Sequence, residues 1–455
     1  MQALGRAGLS RRKGTFDRDK LLFLLLLSFL FSLPIILSPI PSVQAGSDLK
    51  AEFQAAVDAF QKRYGFPGAT AAYVLRDGTA GAAATGVADR ETGRPMTVHS
   101  RMLAASIGKT FVGATAVALS LEDVLDLDIP VSRWLGDRRW FSRLPNHNAI
   151  TLRHLLTHSS GLPDHVHLES FAAEVSRKWR EKDNPFSPED LIRFVLDLPP
   201  LFEAGKGWAY SDTGYILIGL VIEKAIGKDC YGEIKGRFLT PLELKLTAPA
   251  DRRFLPGLAA GYMAADNAFG LPRKTTTSDN TLAWHPGFEW TGGGLVSNSQ
   301  DLARWGSVLF GGKAMSGSYL DELLNSVPVS PETPDIRYGA GVGIYRTGSF
   351  GPVYGHGGWI PGYSSSLRYY PDFGVAIAFQ INADIGIMDG TVPVASEMEK
   401  GLAEPGRTWV LHRRYARPEE LLRPGVPGYQ HISGAAIEHD LSTIDFEHRI
   451  NNSLS

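Results

Sequence analysis

The stretch Leu103–Phe111, LAASIGKTF, holds a hydroxyl and an amine three residues apart, Ser106 and Lys109. On a helix that spacing puts both side chains on one face, where the amine can reach the hydroxyl. A serine hydroxyl is a poor nucleophile until such a base is hydrogen-bonded to it, and a helix start stabilises negative charge developing nearby. Two other chemistries compete for the same letters. Gly108-Lys109-Thr110 ends like a phosphate-cradling P-loop, yet the glycine required five residues earlier is Leu103, and no buried strand precedes it. Ala104–Gly108 reads like a nucleophile elbow with alanine in the first glycine place, and it fails on the same missing strand. The serine–lysine pair is the reading that fits the local physics.

That pair recurs by chance, so it needs partners downstream, and two are present. Tyr210-Ser211-Asp212 places a phenol and a carboxylate ahead of an apolar helical run, and His356-Gly357-Gly358-Trp359 lies in a strand-like run. Taken in this order, the chain resembles the serine β-lactamase-like family of class C β-lactamases, DD-peptidases, esterases and D-amino-acid peptidases. Family-like segments are GVADRETGRPMT (Gly86–Thr97), ITLRHLLTHSSGLP (Ile150–Pro163), TPLELKLTAP (Thr240–Pro249) and TGGGLVSNSQDLARW (Thr291–Trp305), and the likeness runs from about residue 50 to about residue 404.

The resemblance implies an α/β (α+β) fold, a mainly antiparallel sheet flanked by helices with an inserted all-helical domain. It implies Ser106 as the nucleophile that carries an acyl group, with Lys109 and Tyr210 sharing the proton transfers in an order left open. The backbone N–H groups of Ser106 and Trp359 are the expected oxyanion hole, and Gly357, Gly358 and Asp212 line the substrate. His356 steers substrate or tunes Tyr210. The resemblance calls for no cofactor and no metal.

Two residues depart from the family pattern. Asp212 stands where relatives carry Asn; ionised, it only accepts hydrogen bonds, and it is placed to pair with Lys109 and blunt it as a base. His356 replaces a lysine and removes a fixed cation for a substrate carboxylate. An unperturbed imidazole titrates near 6.5, so the expectation is activity that rises through roughly pH 6–7 as His356 becomes neutral and orients Tyr210. The activity expected is hydrolysis of D-peptide, amide or ester bonds. Hydrolysis of β-lactams is the alternative within the same fold, and non-catalytic binding of cell-wall fragments is the alternative from another class.

The elements that must position these groups are legible in outline. DLKAEFQAAVDAFQKRY has apolar residues at helical spacing, and ATAAYVLRDG with AAATGVADRETG reads as two strands meeting at Asp77-Gly78. Helical patterns fill the region of about 106–289, with Ser or Asp in SPED and SDTG placed as N-caps. Strands return in YGAGVGIYRT, SSSLRYYP and GVAIAFQIN, and VPVASEMEKGLAE closes as a helix. The sheet therefore draws on about 50–105 and 290–405 of a hydrolase domain spanning 46–405, and 406–455 is an extension without clear periodicity.

The chain has 455 residues, 44% of them hydrophobic and 21% charged, with a net charge of −2. That is ordinary globular composition, with nothing to suggest nucleic-acid binding; the partner expected is a small-molecule or peptide substrate. Residues 1–20 hold six basic and two acidic side chains, followed by LLFLLLLSFLFSL and a small-residue site at Val43-Gln44-Ala45. This is the pattern of a secretory signal peptide over 1–45, which implies an exported, periplasmic or extracellular protein; an uncleaved segment would be its sole membrane contact.

Several motifs read as bland. Ser278-Asp279-Asn280 sits in a polar Thr-rich loop. His154, His158, His165 and His167 lack the carboxylates and spacing of a zinc site. Cys230, the single cysteine, lies in a charged helical stretch and reads as structural. The glycines of TGGG imply close backbone packing near the active-site wall.

Overall fold

The computed structural model describes residues 45–181, 184–264, 267–346, 348, 350–384 and 396–404. The expected signal segment, apart from Ala45, and the C-terminal extension lie outside the described residues.

Helix α1 (Ala45–Tyr64) carries Leu49, Phe53 and Val57 on one buried face. Strands β1 (Gly68–Val74) and β2 (Ala80–Asp89) follow as an antiparallel pair, joined at the turn the sequence marks with Asp77-Gly78. With β3 (Arg94–Pro95), β7 (Val327–Pro328), β8 (Ile336–Tyr338), β9 (Gly343–Tyr345), β10 (Val353–Ile360), β11 (Tyr363–Tyr370) and β12 (Val375–Ile381) they build one sheet. Its order is β3-β2-β1-β12-β11-β10-β9-β8-β7, antiparallel throughout. The first and last strands among the described residues thus pair inside the sheet, with Thr70 opposite Gln380.

The period-two alternation of strands divides the core between the two sheet faces. Ala69, Ala71 and Tyr73 of β1, with Ile377 and Phe379 of β12, pack under α1 and the closing helix at 396–404. Ala72, Ala376 and Ala378 point the other way, into the larger core beneath the helical region. Every residue of β12 is buried, as a strand covered on both faces requires.

The helical region holds α2 (Gly108–Leu121), α3 (Leu152–Leu156), α4 (Glu169–Lys178), α5 (Pro188–Ile192), α6 (Asp212–Ile226) and α7 (Cys230–Ile234). Residues 108–119 of α2 are all buried, which makes it the central helix of the molecule. Ser187 caps α5 through a capping box with Asp190, and Ser211 caps α6 by accepting from the Gly214 N–H, so both expected caps are present. Cys230 opens α7 and is buried, its thiol pushed upward by burial and nearby carboxylates.

The reading of a helical stretch to about residue 289 is corrected. Helix stops at Leu239 and, apart from the short 3₁₀ turn Pro286–Phe288, most of 240–289 is irregular, because Pro241, Pro249, Pro256 and Pro272 together with Gly257, Gly261 and Gly270 punctuate it. Part of it forms a strand, β5 (Ala248–Pro249), in a second small sheet with β4 (Met102–Leu103) and β6 (Leu295–Ser297), in the order β4-β6-β5. Helix α8 (Ser299–Phe310) then packs on the main sheet, where Ser299 Oγ shares a 2.7 Å hydrogen bond with Thr70 Oγ1.

Candidate active site

Ser106 occupies the middle of a tight 3₁₀ turn, Ala105–Ile107, that runs directly into α2. The residue before it, Ala105, is held at φ +49°. Left-handed backbone costs a residue with a Cβ roughly 1–2 kcal/mol, so the surrounding structure must enforce it. The enforcement is visible at Ala104, whose N–H donates to Leu295 O at 2.8 Å and whose carbonyl accepts from Ser365 Oγ at 2.9 Å. The turn is thereby tied to both sheets.

Lys109 lies one turn further on, fully buried. Its Nζ donates to Ser106 Oγ at 3.0 Å, and also to Asp212 Oδ1 and to the carbonyl of Gly292. The ion pair with Asp212 expected from the sequence is therefore formed. The ammonium also stands 4.8 Å from the Tyr210 ring centre and 5.3 Å from that of Tyr215, an aromatic floor that favours a cation. A buried charge is tolerable when every donor has an acceptor, and here each does.

Tyr210 and Asp212 flank the cap of α6. The Asp212 N–H donates to Asp164 Oδ1 at 3.2 Å, and the Ser211 N–H donates to His158 Nδ1 at 3.1 Å. The His158 ring also lies against Tyr210, with centroids 4.1 Å apart. Burial, with Lys109 and His356 adding to it, holds His158 well below its ordinary range, so it works as a neutral acceptor. Asp164 is pushed well above the carboxylate range, first by burial and then by the charge of Asp212. Sequence reasoning missed both positioning residues, since His158 meets the Tyr210 segment only through a return of the chain about 50 residues later.

The Tyr210 hydroxyl is buried and closes no hydrogen bond among the described residues. Burial first, and Asp212 next, raise its pKa well above 10, although the nearness of Ser106 works against the rise. The phenol therefore rests protonated.

His356 sits on β10. Its Nε2 accepts from the Tyr338 hydroxyl at 2.7 Å and its Nδ1–H donates to Gly357 O at 2.5 Å. Burial, and then the charge of Lys109, lower its pKa to about 3. The expectation that His356 changes charge near pH 6–7 is corrected: desolvation keeps it neutral across that range, and both ring nitrogens are already engaged. Its ring centre is 6.2 Å from that of Tyr210, a packing relation.

Gly357, Gly358 and Trp359 follow on the same strand, opposite Ser366, Ser365 and Ser364 of β11. Pairing of β10 with β9 reaches only Gly355, and the segment beyond packs against the turn that carries Ser106. A methyl group on Gly358 would fall 2.4 Å from Ala104 O and 2.3 Å from Ser365 Oγ, so glycine alone permits this approach. The Trp359 indole stacks obliquely beside Phe269, centroids 6.3 Å apart.

The residues set aside from the sequence have other uses. His154 Nδ1 accepts from the Thr151 N–H in a capping box, and His165 Nδ1 meets Thr213 Oγ1 at 2.9 Å. Asp279 accepts from Thr277 and Thr281 within its own exposed loop. The TGGG segment supplies Gly292 O to Lys109, a role no local motif announces.

Comparison with known proteins identifies the family and the fold that carry this site. The family model described as Beta-lactamase matches residues 53–394. Penicillin-binding protein 4* of Bacillus subtilis (strain 168) is 28% identical over 308 residues, which cover 66% of this chain and 64% of that protein. Esterase EstB of Burkholderia gladioli is 32% identical over 166 residues, 36% of this chain and 42% of that protein. The chain thus spans less than two thirds of either of these relatives. Among solved structures, a D-stereospecific amidohydrolase from Streptomyces sp. superposes with a TM-score of 0.62 at 29% identity, covering 74% of this chain and 94% of that one. The D-amino acid amidase from Ochrobactrum anthropi SV3 gives a TM-score of 0.66 at 26% identity, with 81% and 99% covered. The match runs through every element that carries Ser106, Lys109, Tyr210 and His356, and with it the chain belongs to the beta-lactamase family.

Proposed function

We propose that this protein is a serine hydrolase that cleaves amide or ester bonds of D-amino-acid and D-peptide substrates through an acyl-Ser106 intermediate. The observation that carries the reading is the 3.0 Å hydrogen bond between Lys109 Nζ and Ser106 Oγ, with Asp212 bound to the same ammonium. Ser106 Oγ attacks the carbonyl carbon and gives its proton to Lys109 while the ammonium passes one to Asp212. The carboxylate is the sink, and the ammonium that remains beside Ser106 offsets the negative charge that develops on the attacked carbonyl. Tyr210 enters the step with its proton on and donates it to the leaving nitrogen or oxygen as that bond to carbon breaks. Water then attacks the acyl carbon and gives its proton to the Tyr210 phenolate. Asp212 returns the first proton through Lys109 to Ser106, and acid and alcohol or amine leave. The N–H groups of Ser106 and Trp359 take the oxyanion, which in acyl transfer is usually the largest source of transition-state stabilisation.

A neutral His356 offers no cation for a substrate carboxylate, which favours amidase and esterase chemistry over β-lactam hydrolysis. Trp359 and Phe269 form an aromatic wall suited to an apolar side chain. The two solved neighbours named for D-amino acid amides and D-stereospecific hydrolysis support the same class. Export is proposed from the basic and apolar N-terminus. It is supported by relatives named penicillin-binding protein and N-acetylmuramyl-L-alanine amidase, while no helix among the described residues is long and apolar enough to cross a membrane. The test is a hydrolysis panel of D- and L-amino-acid amides, a D-Ala-D-Ala peptide, short-chain nitrophenyl esters, a penicillin and a cephalosporin. Turnover confined to the β-lactams would overturn the assignment.

A further inference from the structure

Lys109 has no donor to spare. An ammonium carries three N–H groups, and here they go to Ser106 Oγ, Asp212 Oδ1 and Gly292 O. A second carboxylate stands beside this pair. Glu289 precedes the 3₁₀ turn Trp290–Gly292 whose last carbonyl binds Lys109. Its side chain is half-buried, and its carboxylate makes no hydrogen bond or ion pair with any described residue. A methyl group placed on Gly293 would come 2.5 Å from the Ala105 carbonyl and 2.7 Å from Glu289 Oε2. The carboxylate and the residue just before the nucleophile therefore close on the same point. Burial, and then the charge of Asp212, push the Glu289 carboxyl up to about 8, with Lys109 opposing.

A half-buried carboxyl without a partner favours its neutral form, and a cation supplied by the working complex would offset the cost of charging it. Among the described residues the one cation facing it is Lys109, and Lys109 is committed. We propose that the substrate brings the cation: Glu289 binds the free α-ammonium group of the acyl-side residue, which makes the enzyme selective for N-terminally unblocked amino-acid amides, esters and short peptides. An α-ammonium is bonded to the carbon next to the carbonyl that Ser106 attacks, and Glu289 Oε2 and the carbonyl of Ala105, the residue before Ser106, lie 2.7 and 2.5 Å from one point beside Gly293. The inference rests on the hydrolase reading and assigns its specificity to one side chain outside the serine–lysine–tyrosine set.

The experiment compares kcat/KM for D-phenylalanine 4-nitroanilide, its N-acetyl derivative and the desamino 3-phenylpropionyl nitroanilide, with nitrophenyl butyrate as a neutral ester. Wild type, Glu289→Gln and Glu289→Asp are each assayed. Wild type is expected to prefer the free amine over the desamino compound by roughly 10- to 100-fold, the range of a hydrogen bond to a charged group. In Glu289→Gln that ratio collapses toward one, chiefly through KM, and Glu289→Asp retains part of it. A wild-type ratio near one, or a ratio that does not move in Glu289→Gln, overturns the proposal while butyrate turnover leaves the hydrolase reading standing. Should Glu289→Gln not fold, the wild-type and Glu289→Asp ratios decide by the same criterion. Wild type inert toward all four compounds sinks the hydrolase reading, and this inference with it.

Discussion

The hydroxyl of Tyr338 donates to Nε2 of His356 and so fixes the one imidazole proton on Nδ1, where Gly357 O receives it. This pairing leaves His356 with no free donor or acceptor and takes it out of proton transfer. Its titration is moved to about pH 3 by burial and the Lys109 charge. The kcat/KM profile for a neutral ester is accordingly expected to show no inflection between pH 6 and 7 that disappears in His356→Gln. If such an inflection exists and the mutation removes it, His356 titrates in the working range and the assignment is wrong.

The same shift carries a stability prediction of definite sign. The unfolded chain binds the His356 proton below about 6.5, whereas the folded chain resists it down to about pH 3. Stability from this residue is whole above pH 6.5 and declines as pH falls toward 3, by a few kcal/mol at the limit, to order of magnitude. Thermal melts of wild type should therefore lose Tm more steeply between pH 6.5 and 4 than melts of His356→Gln. Parallel curves would count against the buried neutral state.

Ser106→Ala should lower turnover by on the order of 10^4-fold or more, since Ser106 is the one hydroxyl among the described residues that Lys109 bonds. Labelling by a fluorophosphonate, followed by peptide mapping, should find the adduct on Ser106. An adduct on Ser211 or Ser278 would reassign the site.

Asp212→Asn keeps the shape beside Lys109 but removes the proton sink. Its kcat is expected to fall by on the order of 10–100-fold, with KM little changed, because the loss is confined to a proton-transfer step. Lys109→Met goes further. It strands the Asp212 carboxylate and Gly292 O without their donor, so it should lose both activity and roughly 3–5 kcal/mol of stability. Equal denaturant midpoints for wild type and Lys109→Met would show that the buried pair is not structurally coupled as described.

Gly358→Ala places a methyl group against Ala104 O and Ser365 Oγ at distances no real contact allows. Strand β10 must then move away from the Ser106 turn, widening the expected oxyanion hole. The predicted outcome is a fall in kcat of about 100-fold or more with the fold retained by circular dichroism. Full activity would remove Trp359 N–H from the mechanism.

Some of this site is legible in the letters alone. The Ser106–Lys109 contact follows from helical periodicity, because three residues make about one turn whatever the rest of the chain does. The caps at Ser187 and Ser211 are likewise local, and β1, β2, β11 and β12 follow from alternation and turn residues. The pairing of Asp212 with Lys109 is expected from a carboxylate standing where relatives carry Asn, and the ion pair is formed. What depends on packing is another matter. Lys109's other two acceptors come from distant segments of the chain, at positions 212 and 292, and no spacing rule joins them to it. The left-handed Ala105 is imposed by bonds from β6 and β11 to its neighbour. The charge state of His356, the support of Tyr210 by His158, and the unpaired carboxylate of Glu289 all depend on how much water the folded chain excludes and which partners it brings near. Desolvation and long-range pairing are properties of the assembled fold, so they become readable only in three dimensions.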